Sequence, residues 1–475
     1  MVRLYFQYFE SAFRIFHAPT FWTRYQRYWD NPEATSVNLR LEILLAIAIG
    51  SSVHNHGSGE TDFRNMVHQW VYAAQTWLSG PLEKDRLNIT GIQIHCLTII
   101  ARQIFCLGAD LVWASLGLLV HSAMQIGLHR DPRHLSNMTV LQAEIRRRLW
   151  GTILELTVQS SLDAEMPPRI HFDEFDTEPP SNSNDDEIAD STTVLQLHSE
   201  DQYTTTSVQL ILLRSLRTRH RIVQLLNGIT PDIAYAEILT LSSDLTKALG
   251  SCSALAYSGN ESIVNSFRRN MLDYMIRRFL LHLHLPFACR ARTTPLLSHS
   301  SRIALDTAVT LISPEPDECF YRLMVIGGGM LRDGIRYAGV PIGLELLAHT
   351  EAQRLDLTLH RNSDYRSMLK RALEKMIATS AQRIQHGESN VKNHMFLSMM
   401  VADAGAIEKG DSRDLKIAQS ARSSLQLCHD LLRAQSGTAS VPWYDHMETT
   451  NLSGEWEDHA LDFDFGIFLQ GIDFP

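Results

Sequence analysis

The chain has 475 residues, 44% of them hydrophobic and 20% charged, and a formal net charge of −10. This is the composition of a folded soluble protein, long enough for two or more ordinary domains or one large helical array. No window reaches the roughly 18 uninterrupted apolar residues of a membrane span, and the N-terminus lacks the apolar run of a signal peptide.

In chain order, Leu4 to Tyr28 is aromatic-rich, with Phe6, Phe9, Phe13 and Phe16 on one side of a predicted helix and a turn at His17 to Phe21. Leu39 to Gly50 reads as a buried helix, and Phe63 to Leu78 as another after a polar loop. Asn88 or Thr90 starts the next, with Ile92, Ile94, Leu97, Ile100 and Ile104 inside. Asp110 to Ile126 is apolar nearly all round and belongs in the centre of a helical core. Gly127 is placed to close that helix in the left-handed conformation, and Asp131-Pro132 forbids its continuation. Thr139 and Gln142 have the spacing of a capping box. Beyond it, Leu141, Ile145, Leu149, Ile153 and Leu156 recur along one helix face while Arg146 to Arg148 lie off it.

Pro167-Pro168 and Pro179-Pro180 then bracket extended, acidic chain. From Ile170 to Leu213 ten acids meet no Lys or Arg, and from Tyr444 onward eight acids meet none, so the remainder carries +8. Ser181 to Thr206, rich in Ser, Asn, Asp and Thr, reads as a disordered insertion. Val208 to Leu226 resumes helical periodicity with a basic face of Arg214, Arg217, Arg219 and Arg221. Further helices are predicted over Pro231–Leu249, Ile263–His284, Ser300–Leu311 and Asp317–Arg336. Pro341 is expected to interrupt before Ile342–His349. The last three are expected over Asp364–Gly387, Asn390–Ala404 and Ser412–Gln435. Strand-like alternation is nowhere sustained. The expected fold is all-α: an N-terminal helical half (1–170), the acidic, disordered insertion (171–206), a C-terminal helical half (207–435) and an acidic tail (436–475).

Motifs for chemistry are few. There is no Gly-x-Ser-x-Gly elbow, His-Glu-x-x-His helix or phosphate loop. Gly327-Gly-Gly329 reads as a place of close helix packing or a kink, and His282 and His284 as core or capping residues. The six cysteines, Cys96, Cys106, Cys252, Cys289, Cys319 and Cys428, form no Cys-x-x-Cys pair and read as reduced, mostly buried thiols. Asp185, Asp186 and Asp190 are the residues a magnesium-dependent helical isoprenoid synthase would need, because a hard cation wants several carboxylate oxygens. They sit in a Ser/Asn-rich stretch rather than at a helix end, and no second metal motif follows. Arg146 to Arg148 read as a solvated or salt-bridged face, and His129 with Arg130 as structural residues of the turn. In the tail, Trp443, Trp456, Phe463, Phe465 and Phe468 interleave with acids. This pattern suits an activation segment, a disordered end or a helix folded back on the body.

The residues Gly127, Leu128, His129, Arg130, Asp131 and Pro132, followed by Glu144, Arg146, Arg147, Arg148, Leu149 and Trp150, resemble the fungal-specific transcription factor domain. This is the middle homology region of fungal binuclear zinc cluster regulators. The likeness continues through Pro167, Pro168 and Phe175 to Pro179, and is visible at Phe16 to Phe21. It implies an all-α regulatory domain, without enzymatic activity, in a nuclear regulator of metabolic or secondary-metabolite genes transcribed by RNA polymerase II, with an acidic C-terminal segment delivering activation. Its implied partners are the transcription machinery or another regulator, with room for a small-molecule effector and a homodimer, and no membrane. The family's N-terminal six-cysteine module is not found, Cys96 being the first cysteine. Zinc and DNA contact are therefore expected only through a missing module or a partner. The alternative is a cluster-less partner that titrates a full-length regulator. Glu165-Met166 depart from the Gly-Arg usual before the Pro pair, and His121 stands where Arg is common.

Overall fold

The computed structural model describes residues 1–436 apart from 34, 82, 109–110, 201, 230–233, 257–262, 292 and 327–328. Its described elements are helices, seventeen α-helices with short 3-10 turns between them, and among the described residues there is no strand. The first seven are α1 (Val2–Tyr8), α2 (Ala18–Asp30), α3 (Val37–Ser51), α4 (Glu60–Ser79), α5 (Ile89–Phe105), α6 (Val112–Gln125) and α7 (Val140–Asp163). Then come α8 (Ser207–Arg214), α9 (Leu216–Leu226), α10 (Tyr235–Ala256), α11 (Ile263–Arg290), α12 (Ser298–Ile312) and α13 (Glu318–Ile326). The last four are α14 (Arg332–Leu355), α15 (Ser363–Gln385), α16 (Lys392–Lys409) and α17 (Arg413–Ser436).

Local chemistry sets the boundaries. The Ser36 hydroxyl caps α3 by accepting from the Leu39 N–H, and the Asn88 side chain caps α5 by accepting from Gly91 at 2.9 Å. Thr139 and Gln142 close both halves of the expected capping box at 3.2 Å each. Gly127 has φ +77°, the Gly127 N–H donates to Met124 O and the Leu128 N–H to Ala123 O, the two bonds of a Schellman stop. Where the structure differs, packing overrides the local signal. α1 ends at Tyr8 rather than running on, and Phe9, Phe13 and Phe16 enter the core from the turns that follow. The stretch 208–226 breaks at Ser215 into α8 and α9. Pro341 does not interrupt α14: it is buried inside a helix that packs on α11, α12, α15 and α16, and that packing carries the helix past a residue costing roughly 3 kcal/mol in a helix interior.

Helices pack pairwise, α1 on α3, α3 on α5, α5 on α6 and α6 on α7, then α10, α12 and α14 around α11, α15 and α16 on α14, and α17 on α15 and α16. One continuous apolar cluster runs from Val2 to Ile407 and draws on both expected halves. α5 is buried at every residue from Gly91 to Phe105. Its Gln103 carbonyl receives the Gly329 N–H at 2.8 Å, and a Cβ on Gly329 would lie 2.3 Å from that oxygen, so this glycine does permit a close approach. His284 sits in the core between the hydroxyls of Ser242 and Ser300, each at 2.9 Å, and burial lowers its pKa to about 4. Of the described cysteines, Cys96 and Cys428 are buried, and Cys106, Cys289 and Cys319 are half-buried thiols.

The acidic stretch 171–206 is not a disordered insertion. Its described residues, all but 201, run as an ordered strap across α7, with one 3-10 turn at Asp185–Glu187, and their side chains bond to one another and to the body. Asn182 accepts from the hydroxyls of Thr204 and Ser207, and the His198 N–H donates to Asn182 O. Low hydrophobicity favours disorder only when the chain has no other way to offset its lost entropy. Here the offset comes from charge.

Candidate functional site

The signature residues converge where the loop after α6, the first half of α7 and the strap meet. Asp131 is fully buried at the centre. Its carboxylate accepts two hydrogen bonds from Arg147, at 3.0 Å each, and one each from the N–H groups of Arg133 and Glu178. Burial alone would raise its pKa, but these donors hold the carboxyl down at about 2. The Asp131 N–H in turn donates to Asp176, whose own N–H donates to His129 O. Leu128, wholly buried, offers its carbonyl to the Thr177 hydroxyl at 2.7 Å. Arg130 pairs with Asp176 at 3.1 Å on the surface. Each part of the Gly127–Pro132 motif thus holds either the helix stop or the strap.

One turn further along, Glu144 is buried and accepts from Arg147 and from both the N–H and hydroxyl of Ser181. Arg146 donates to Ile126 O at 2.6 Å, tying α7 to the end of α6. Arg148 is 1% exposed and shares the Asp185 carboxylate with Arg14 from the turn after α1. Asp185 also accepts from the Ala18 N–H, and its carbonyl bonds to the His17 ring. Burial would raise the pKa of Asp185, but the two guanidinium groups bring it down to about 2. Of the solvated or salt-bridged face expected for Arg146 to Arg148, the structure has salt bridges at Arg147 and Arg148 and a backbone carbonyl contact at Arg146. Arg147 is largely covered and meets Glu144 three residues away and Asp131 sixteen away, and Arg148 is in the interior on Asp185, an acid that sequence distance conceals.

Leu149 is wholly buried, Trp150 is 2% exposed, and Pro168 is buried while Pro167 faces out. Glu155 on the next turn binds Arg219 of α9 through two hydrogen bonds, at 2.6 and 2.7 Å, both side chains buried. Arg219 therefore leaves the expected basic face of α9. At the end of α7, Asp163 pairs with buried Arg278 of α11, and Glu165 holds φ +53° where the resembling family usually has glycine.

The arrangement is a set of buried, self-neutralised ion pairs that bolt α7 to four other parts of the chain. It offers no place for a divalent cation at the aspartate run. The Asp185 oxygens are taken by Arg14, Arg148 and Ala18, while Asp186 and Asp190 are exposed. Among the described residues no three His, Cys, Asp or Glu side chains come together in a way that suits a metal ion. No helix among them is long and apolar enough to cross a membrane. Trp443, Trp456, Phe463, Phe465 and Phe468 lie outside the described residues.

Beside this node lies a groove of about 340 Å³ between α7, α8, α9 and the strap, walled by Trp150, Leu154, Phe172, Phe175 and Leu216. A second cavity, of about 320 Å³, opens where Trp113, Asp163 and Asp333 meet.

Residues 2–261 match the family model described as the fungal specific transcription factor domain, and the chain belongs to that family. It is 39% identical to the transcription factor asR3 of Sarocladium schorii, over all of this chain and 61% of that protein. It is 34% identical to the transcription factor lepE of Aspergillus flavus, over 91% of this chain and 54% of that one. It is 28% identical to the aspyridones cluster regulator apdR of Emericella nidulans, over 93% and 61%. The chain therefore spans somewhat over half the length of these relatives. No solved structure matches it.

Proposed function

We propose that this fungal-specific transcription factor domain belongs to a nuclear regulator of genes transcribed by RNA polymerase II, and that those genes serve secondary metabolism. The observation that carries this reading is the family match over more than half of the chain, joined to relatives named as transcription factors and as a cluster regulator. The helical body acts as a structural and regulatory scaffold rather than an enzyme, in keeping with a signature whose charged groups are spent on one another. DNA is reached through a zinc cluster module outside these 475 residues or through a partner regulator, and zinc belongs to that module alone. Activation is delivered by the acidic, aromatic segment 443–475, to which the body controls access.

The test is a reporter assay in a fungal host. Residues 443–475 fused to a heterologous DNA-binding module are expected to activate the reporter, and the whole chain in the same fusion to activate less. A silent tail fusion would remove the activation segment from the proposal. Equal activity of the two fusions would remove the control by the body.

A further inference from the structure

The groove beside the node differs from the rest of the charged interior in one respect. Around α7 three buried or half-buried arginines have acids: Arg147 has Asp131 and Glu144, Arg148 has Asp185, and Arg219 has Glu155, while Arg146 donates to the Ile126 carbonyl. The rim carboxylates of the groove are also taken, Asp176 by Arg130 and His134, and Glu178 by Arg133. Arg214 pairs with Glu200. Arg217 does not fit this pattern. It stands exposed at the mouth with its guanidinium 4.2 Å above the Phe172 ring, and no carboxylate among the described residues lies within ion-pair distance. The cation–π contact holds the guanidinium plane in place while leaving its N–H groups available.

The floor is formed by an aromatic ring. Trp150 is buried, and its indole N–H finds no acceptor among the described residues. The volume of about 340 Å³ lies within the ~300–1,000 Å³ of small-molecule sites, and the mix of aromatic walls with few polar groups is typical of them. The second cavity has no such excess. Its Asp333 is paired with Arg332 and Arg336, its Asp163 with Arg278, and its Glu165 with Tyr337.

We propose that the groove between α7, α9 and the strap binds a small amphipathic organic acid. The apolar body lies between Trp150, Leu154, Phe172 and Phe175, and the anionic head meets Arg217. Such a guest bridges α9 to the strap across the signature helix. The proposal concerns binding alone and stands apart from the transcriptional reading.

The experiment titrates the purified full chain with the aromatic sulfonate 8-anilinonaphthalene-1-sulfonate and with its uncharged parent, N-phenyl-1-naphthylamine, following their fluorescence. Single-site saturation by both is expected. Arg217→Met is expected to weaken the sulfonate about tenfold, the size of a lost charge-assisted hydrogen bond, and to leave the uncharged probe within about twofold. Leu213→Trp, at a half-buried wall position, is expected to abolish both with an unchanged far-ultraviolet dichroism spectrum. Sulfonate affinity unchanged in Arg217→Met would overturn the proposal. So would equal loss of both probes in that variant, or full binding of both by a folded Leu213→Trp protein.

Discussion

At its inner end the strap places Asp185 between Arg14 and Arg148, with none of the three side chains more than 7% exposed. At its outer end Glu178 faces Arg133 with both more than half exposed. The residue types are the same, but the surroundings differ. In water an ion pair gains little over two solvated ions, whereas in the interior each partner becomes the only solvation the other has. The inner contacts therefore decide whether the strap is seated, and the outer ones decorate it. This difference also explains how thirty-odd residues without a helix remain ordered.

The sharpest break of that contrast is Asp185→Ala, which leaves Arg14 and Arg148 buried without an acid. An expected loss of about 3–5 kcal/mol in urea unfolding of the full chain follows. A loss below about 1 kcal/mol would mean that the inner end is no more consequential than the outer. Next comes Arg219→Met, which strands the Glu155 carboxylate. About 3 kcal/mol should be lost in the same assay, with most of it recovered by adding Glu155→Leu, since the pair is costly to halve and cheap to replace.

Acid titration reads the buried carboxylates that hold the strap without mutation. Asp131 and Asp185 both have folded pKa values near 2, below the ~3.9 of an unfolded Asp. Groups depressed in this way contribute stability that is fully present above the unfolded value and lost as pH falls through the folded one. Unfolding free energy should therefore drop between about pH 5 and pH 2, by roughly 2 kcal/mol for each of the two. Glu10 runs the other way. Burial raises its pKa to about 8, so its contribution weakens as pH rises from about 4.5 to 8. In Glu10→Gln that alkaline-side slope should flatten while the acid limb stays. The smallest effect is reserved for the outer rim, where Arg133→Ala should change stability by no more than about 0.5 kcal/mol. A larger effect would show that the rim shares the burial of the inner node.

Several elements are legible in the amino-acid sequence alone. The Thr139–Gln142 box, the Asn88 start and the Gly127 stop are chemistry within four or five residues, and such signals survive folding unchanged. The Gly127–Pro132 and Glu144–Trp150 signature also locates the node. Its arginines read as a solvated or salt-bridged face, and the sequence did not show which acids would bury them, Arg148 being 37 positions from Asp185; Arg219 of α9 is likewise 64 from Glu155. The strap misleads for the same reason. Its composition favours disorder, and the positive charges that order it belong to other segments.

By itself, the sequence determined the helical class, most helix boundaries and the family, because periodicity, caps and a local signature are all short-range properties. Only the tertiary structure decided which charges are buried, that the acidic strap is their counterpart, and that Arg217 alone among the groove's cations has no described acid. Burial and pairing depend on which distant segments meet, and the free energy of a charge depends on that meeting more than on its neighbours in the chain.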